Sequence, residues 1–235
     1  MAVILAGGMG SRLRPLTVTV PKPLLPLGEV SILEVVLRQI CRAGVSRVVI
    51  ALGHMAHLVE ACIGTGARWG LRVEYRREEE PLGTAGALRL LHDPEEDFLV
   101  MNGDLLTTLD YAAFFRLHQE RGAWATIAVS RREVKIDYGV IESDPDGGLR
   151  HYIEKPVIPH DVSMGINVLS RRALSFIPPV GKFDMPDLMQ ALVAAGKPVL
   201  CHPTDCYWQD IGRLEDYERA SADFVADPSR FLPSE

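Results

Sequence analysis

Short apolar runs and amphipathic stretches alternate along the first 130 residues. Ala2-Val3-Ile4-Leu5-Ala6, Arg47-Val48-Val49-Ile50-Ala51-Leu52, Arg72-Val73-Glu74-Tyr75, Phe98-Leu99-Val100-Met101 and Ala125 to Val129 are nearly continuous rather than alternating. That is the pattern of strands buried on both faces. Between them, Ser31-x-x-Glu34 reads as a capping box opening a helix with Ile32, Leu33, Val36, Leu37 and Ile40 on its core side, closed by Gly44. Residues 55–63 and Thr84 to Leu91 read as short helices, and Asp110 as the cap of a helix through Arg121. This β-α-β-α rhythm predicts an α/β fold with a largely parallel sheet covered on both sides.

After Ser130 the texture changes. Gly139-Val140-Ile141-Glu142 and Leu149-Arg150-His151-Tyr152-Ile153-Glu154 flank Asp144-Pro145-Asp146-Gly147-Gly148, a hairpin signal. Met164 to Leu169 reads as a further strand. Asp184-Met185-Pro186 starts a helix to Ala195 with Gly196 at its end, and Leu214 to Ala226 is the last helix. The expectation is one domain over residues 1–226, with a small β-hairpin elaboration and a loose tail over 227–235. There is no internal repeat and no low-complexity linker.

Composition narrows the class. The 235 residues are 47% hydrophobic and 24% charged, ordinary for a soluble globular chain. No stretch approaches a membrane span and the N-terminus lacks a basic region and cleavage site, so a cytoplasmic protein with no membrane partner is expected. Cys41, Cys62, Cys201 and Cys206 show no C-x-x-C spacing, which favours isolated thiols over a zinc site or a disulfide framework. The formal charge is −6, yet Met1 to Gly28 holds Arg12, Arg14 and Lys22 and no acid. The apolar run ending in Leu5-Ala6 opens there into Gly7-Gly8-Met9-Gly10. Glycines let backbone N–H groups close on phosphate oxygens, so this stretch reads as a polyphosphate grip. It is not a P-loop, because Lys22 lies in Pro21-Lys22-Pro23, nor a dinucleotide fingerprint, because position 13 is Leu13.

In open α/β sheets ligands collect at the carboxyl ends of strands. Asn102-Gly103-Asp104 follows the fourth strand directly. Asp210 stands in Tyr207-Trp208-Gln209-Asp210-Ile211-Gly212. Two carboxylates brought together suit Mg²⁺, which is held by one or two carboxylates plus substrate phosphates.

The run Leu5-Ala6-Gly7-Gly8-Met9-Gly10-Ser11-Arg12-Leu13-Arg14-Pro15-Leu16-Thr17, followed by Pro21-Lys22-Pro23-Leu24-Leu25-Pro26, resembles the signature of the sugar-1-phosphate nucleotidyltransferases. Ser11 stands where threonine is commoner. The resemblance extends to about residue 218 and implies a Rossmann-like, GT-A-type mixed sheet. It implies transfer of a nucleotidyl group from a nucleoside triphosphate to a sugar 1-phosphate, with pyrophosphate released. The substrates would be those two small molecules, with no nucleic acid involved; a homo-oligomer is compatible. Arg12, Lys22 and Asp104 take the catalytic roles by this likeness: Arg12 on the β- and γ-phosphates, Lys22 on the α-phosphate. Asp104 and Asp210 match the metal motifs. Leu5, Ala6, Gly7, Gly8, Gly10, Gly83, Thr84 and Asn102 fall among the nucleotide-binding positions. Glu78, in Glu78-Glu79-Glu80-Pro81-Leu82-Gly83-Thr84-Ala85-Gly86, matches the base-reading position and is most like guanylyltransferase members, which favours GTP.

The sugar side is implied by Tyr138-Gly139, by Glu154-Lys155-Pro156 and by Ser163-Met164-Gly165-Ile166-Asn167. Gly139, Glu154, Lys155 and Asn167 are its candidate residues. The last motif departs from the common Asn-Ala-Gly-Ile-Tyr, with Ser163 and Asn167 in place of the asparagine and the tyrosine, which leaves the acceptor open, a heptose, an amino sugar or a sugar-like cyclitol included. A non-catalytic nucleotide sensor, the same reaction with dTTP or UTP, and a molybdopterin nucleotidyltransferase are the alternatives. The C-terminal β-helix of some family members is not expected at this length.

Overall fold

Seven strands form the central sheet of the computed structural model, which describes residues 1–232. In chain order the elements begin with β1 (Ala2–Ala6), the two-residue strands β2 (Pro26–Leu27) and β3 (Val30–Ser31), α1 (Ile32–Arg42), β4 (Arg47–Leu52), α2 (Ala56–Ile63) and β5 (Arg72–Arg77). Next come β6 (Asp97–Asn102), β7 (Leu105–Thr107), α3 (Tyr111–Arg121), β8 (Ala125–Lys135), β9 (Val140–Ser143), β10 (Leu149–Ile153) and β11 (Val157–Ser170). The chain closes with α4 (Met185–Ala194), β12 (Val199–Thr204), β13 (Trp208–Asp210), α5 (Leu214–Ala226) and α6 (Pro228–Phe231).

The sheet order is β12-β8-β11-β6-β1-β4-β5, and β11 alone runs antiparallel to its neighbours β6 and β8. This is the largely parallel sheet that the apolar runs predict, mixed as the family resemblance implies. β1 lies between β4 and β6, so successive crossovers leave it in opposite directions and open a crevice beyond its carboxyl end. Alternate residues of the strands face opposite layers. Ala2, Ile4 and Ala6 meet Leu33, Val36, Leu37 and Ile40 of α1, Val59 and Ile63 of α2, and Phe114 of α3. Met1 and Val3 face Leu188, Met189 and Leu192 of α4 on the other side. Ser31 and Asp110 cap α1 and α3 as the sequence indicates, accepting from the Glu34 and Ala113 amides at 3.2 and 2.9 Å.

Three expectations are corrected. Residues 84–91 are not an α-helix but a tighter 3₁₀ segment over Gly86–Leu90, pinned by the Phe183 carbonyl, which accepts from the Ala85 and Gly86 amides at 3.1 and 2.8 Å. The strands at Ala125 and Met164 run far past their apolar parts and form a two-stranded arm, Arg131–Lys135 against Val157–Asp161. Nor is the chain loose over residues 228–231. Asp227 caps α6 through the Arg230 amide, and Phe231 is fully buried between Phe224 and Tyr207, with ring centroids 5.8 and 5.1 Å away. Residues 233–235 lie outside the described residues.

Phe231 belongs to a third core beside the sheet. Leu13, Leu25 and Leu27 from the N-terminal segment pack there with Ile32 and Val35 of α1, Leu106, Ile211, and Ala220 and Phe224 of α5. The Gln39 amide donates to the Thr107 and Phe231 carbonyls at 2.8 and 3.0 Å, joining this core to α1.

His118 on α3 is buried, with Nδ1 2.8 Å from Thr126 Oγ1 and Nε2 3.4 Å from Asp97 Oδ1. Burial holds its pKa below the ordinary 6.5 despite the opposing pull of Asp97. As pH falls below that value the unfolded chain gains a proton that the folded chain refuses, so stability declines until pH reaches the folded pKa. Urea unfolding of His118→Gln between pH 7 and 5.5 is expected to show a shallower slope than wild type, by at most about 1.4 kcal/mol per pH unit.

Candidate active site

Four parallel strands deliver their carboxyl ends to one edge. β1 leads to Gly7, β4 to Gly53-His54, β5 to Glu78, and β6 to Asn102-Gly103-Asp104. The pairing continues past the strands: the Glu78 amide donates to the Leu52 carbonyl at 2.8 Å and the Gly103 amide to the Leu5 carbonyl at 2.9 Å. A cavity of about 570 Å³ opens there, lined by Leu5, Gly7, Gly8, Gly53, His54, Glu78, Gly83, Thr84, Asn102 and Asp104. A volume of this order holds a nucleotide-sized molecule.

Gly7 and Gly53 face each other so closely that a Cβ on Gly53 would stand 2.6 Å from the Gly7 carbonyl oxygen. A Cβ on Gly7 would meet Glu78 Oε1 at the same distance. The other Glu78 oxygen, Oε2, accepts from the Leu82 amide at 3.0 Å and holds the loop that begins there. On its far side that loop is clasped by the segment before α4. Asp184 Oδ1 accepts from the Thr84 amide at 3.0 Å, and Thr84 Oγ1 accepts from the Met185 amide at 2.7 Å. The Thr84 amide that donates to Asp184, together with Lys182, holds its carboxyl below the usual range.

The glycine loop after β1 turns at Gly10, in the left-handed region at φ 60°, and Thr17 Oγ1 donates to the Gly10 carbonyl at 2.7 Å. Its apolar member Leu13 is buried while Arg12 and Arg14 are exposed. The loop then brings Lys22 back onto Asp104, where Nζ pairs with Oδ2. Asp104 Oδ1 is buried and has no hydrogen-bond partner.

Asp210 arrives from the far end of the chain. β13 pairs antiparallel with β7, setting Asp210 opposite Leu105, and the Ile211 amide donates to the Asp104 carbonyl at 3.1 Å. Burial of its carboxylate and the neighbouring charge of Asp104 push the Asp210 pKa up, against Lys22 and Arg12. Arg12 also approaches this strand end, Nη1 lying 3.8 Å from where a Gly212 Cβ would stand. Arg12, Lys22, Asp104 and Asp210, widely separated in sequence, thus converge. Among the described residues no group of three or more metal-ligating side chains stands together. Two carboxylates, one oxygen of which lacks any donor, are what a hard cation shared with phosphate oxygens requires.

A second cavity of about 270 Å³ adjoins the first, sharing Leu5, Thr84 and Asn102 and adding Ser163, Met164, Gly165, Asn167, Trp208 and Asp210. Gly165, at φ 71°, lies so close to Asn102 that a Cβ would stand 2.6 Å from Nδ2. Asn167 is buried and belongs to this cavity. Gly139, Glu154 and Lys155 do not line either cavity. They sit on the hairpin and its return to β11, with Glu154 and Lys155 exposed and Lys155 in the left-handed region at φ 45°. Sequence reasoning missed His54, Asp184, Met164 and Trp208 as lining residues. The Gly53-His54 pair after the second strand was the available signal for the first of these.

Gly53→Ala has no flexible neighbour to displace, only the backbone of Gly7. Nucleotide affinity measured by calorimetry is expected to fall by about tenfold or more, with the thermal transition little changed.

The nucleotidyl transferase family model matches residues 1–226. A UTP–glucose-1-phosphate uridylyltransferase of Synechocystis is 31% identical, over 93% of this chain and 62% of its own. A mannose-1-phosphate guanylyltransferase of Mycobacterium tuberculosis is 33% identical, over 95% and 64% respectively. The chain therefore spans less than two thirds of the length of either curated relative. HddC from Yersinia pseudotuberculosis superposes with a TM-score of 0.74 at 26% identity, covering 95% of this chain and 98% of that one. Its complex with GMP-PN gives a TM-score of 0.70 at the same identity and coverage.

Proposed function

Since this chain belongs to the nucleotidyl transferase family, we propose that it transfers a nucleotidyl group to a sugar 1-phosphate and releases pyrophosphate, with GTP as the favoured donor. The observation that carries this reading is the meeting of Lys22 with Asp104 and of Asp104 with the Asp210 strand at the nucleotide cavity.

The sugar phosphate is already an anion when it attacks the α-phosphorus, so no general base is needed. What the protein must supply is positioning of two repelling anions and stabilisation of the charge that grows in the transition state. Glycine-loop amides and Arg12 hold the triphosphate tail. Lys22 serves the α-phosphate, and Asp104 keeps its ammonium in place until substrate arrives. Asp104 and Asp210 would hold Mg²⁺, which supplies charge neutralisation to the phosphates and to the departing pyrophosphate. Glu154 and Lys155 are assigned to the sugar hydroxyls and sugar phosphate on their motif, and Asn167 on its place in the second cavity.

The preference for GTP rests on Glu78. With Oε2 committed to the Leu82 amide, Oε1 remains beside Gly7 as an acceptor. Guanine offers adjacent N1–H and 2-amino donors to such a group; thymine and uracil do not. The similarity to a mannose-1-phosphate guanylyltransferase and to HddC, solved with GMP-PN, points the same way, while the uridylyltransferase relative marks the competing donor.

Pyrophosphate release across a matrix of nucleoside triphosphates and sugar 1-phosphates tests the reading, and no release from any pair would overturn it. Lys22→Ala and Asp104→Asn are expected to remain folded by circular dichroism yet lose a factor on the order of 10² or more in kcat. Glu78→Gln is expected to lower the ratio of kcat/KM for GTP to that for UTP by about tenfold, through loss of one acceptor of the guanine edge.

A further inference from the structure

The arm formed by Arg131–Lys135 and Val157–Asp161, with the β9–β10 hairpin between its strands, carries Gly139, Glu154 and Lys155. None of its residues is buried and most are exposed, Tyr138, Ile141, Leu149 and Tyr152 among them, so no apolar core fixes its direction. One side chain ties it to the body. Arg132 Nη2 donates to the Trp208 carbonyl at 3.1 Å, and the guanidinium carbon lies 4.9 Å from the centroid of the Trp208 ring. Among the described residues, no other side-chain hydrogen bond or ion pair joins residues 131–161 to the rest of the chain.

The position of Trp208 gives this contact its meaning. It lines the second cavity, its Nε1–H donates to the Met164 carbonyl at 3.0 Å, and it stands two residues before Asp210 on β13. Arg132 therefore packs on a side chain that already joins the turn before Asn167 to the strand bearing Asp210. We propose that Arg132 is a positioning residue, whose clamp on Trp208 sets the arm bearing Glu154 and Lys155 in register with Asp210 and so defines the sugar-phosphate subsite. This rests on the transferase reading. Leucine at 132 keeps bulk and strand propensity but loses both contacts. Lysine keeps a cation over the ring while losing the planar fork that reaches the carbonyl.

The test has two measurements on the full chain. Amide hydrogen exchange of the ligand-free protein follows residues 131–161. Steady-state kinetics then follow GTP and mannose 1-phosphate, or the most active pair of the substrate matrix. Arg132→Leu is expected to speed exchange across the arm. It should raise the KM for the sugar phosphate about tenfold while leaving that for the nucleotide within about twofold, and Arg132→Lys should recover part of the loss. Unchanged exchange in Arg132→Leu would overturn the proposal, as would KM values that rise equally for both substrates or for neither. Wild-type protein that releases no pyrophosphate with any pair would instead overturn the transferase reading, while exchange in the arm still decides whether Arg132 tethers it.

Discussion

Two carboxylates that repel each other must be held side by side at the end of a parallel sheet. Asp104 has one oxygen buried without a donor, and Asp210 is pushed toward protonation by burial and by Asp104. Left alone, such a pair would neutralise or move apart. Lys22 against Asp104 offsets part of the cost, and Arg12 contributes from the same loop. Neither cation comes from an element adjacent in sequence to its acid, so tertiary packing must supply the juxtaposition. The side core does so: Leu13 stands next to Arg12 and Ile211 next to Asp210, and both residues belong to that one cluster.

The central sheet settles where this arrangement can be useful. With β1 between β4 and β6, the crevice beyond its end receives Gly7, Gly53, Glu78 and Asn102-Gly103-Asp104 from four neighbouring strands. The antiparallel β11 adds Asn167 and Gly165 to a second compartment, and β13 closes it with Trp208 and Asp210. One cavity suits a nucleotide and the adjoining one a smaller polar group, with the acids at their boundary. A displacement between two bound phosphates needs that adjacency more than it needs any one reactive side chain.

Much of this was legible in the residues. Val48 to Leu52 and Phe98 to Met101 read as strands because burial on both faces leaves no alternation to confuse them with a surface strand. Arg12, Lys22, Asp104 and Asp210 were legible through motif and position, and they do converge. What escaped were features set by distant contacts. Residues 84–91 have a helical pattern, but the Phe183 carbonyl fixes the turn in another form. Arg131 to Lys135 has no apolar face, so only pairing with Val157 to Asp161 makes it a strand. Phe231 lies in a polar, proline-bearing stretch, and a single aromatic gives no period from which its burial could be read. Asp184 reads as a helix cap and is one, while it also clasps Thr84.

The side core also sets an order of assembly. Its members Leu13, Leu25 and Leu27 leave the ribosome well before Ile211, Phe224 and Phe231. During synthesis the loop that bears Leu13 therefore waits, its apolar side uncovered, until α5 and α6 arrive and fold back on it. A nascent chain can complete β1, β4, β5 and β6 and still lack the packing that brings Arg12 toward Asp210. Convergence of Arg12 with Asp210 is therefore set by contacts between segments far apart in sequence, and not by the sheet alone.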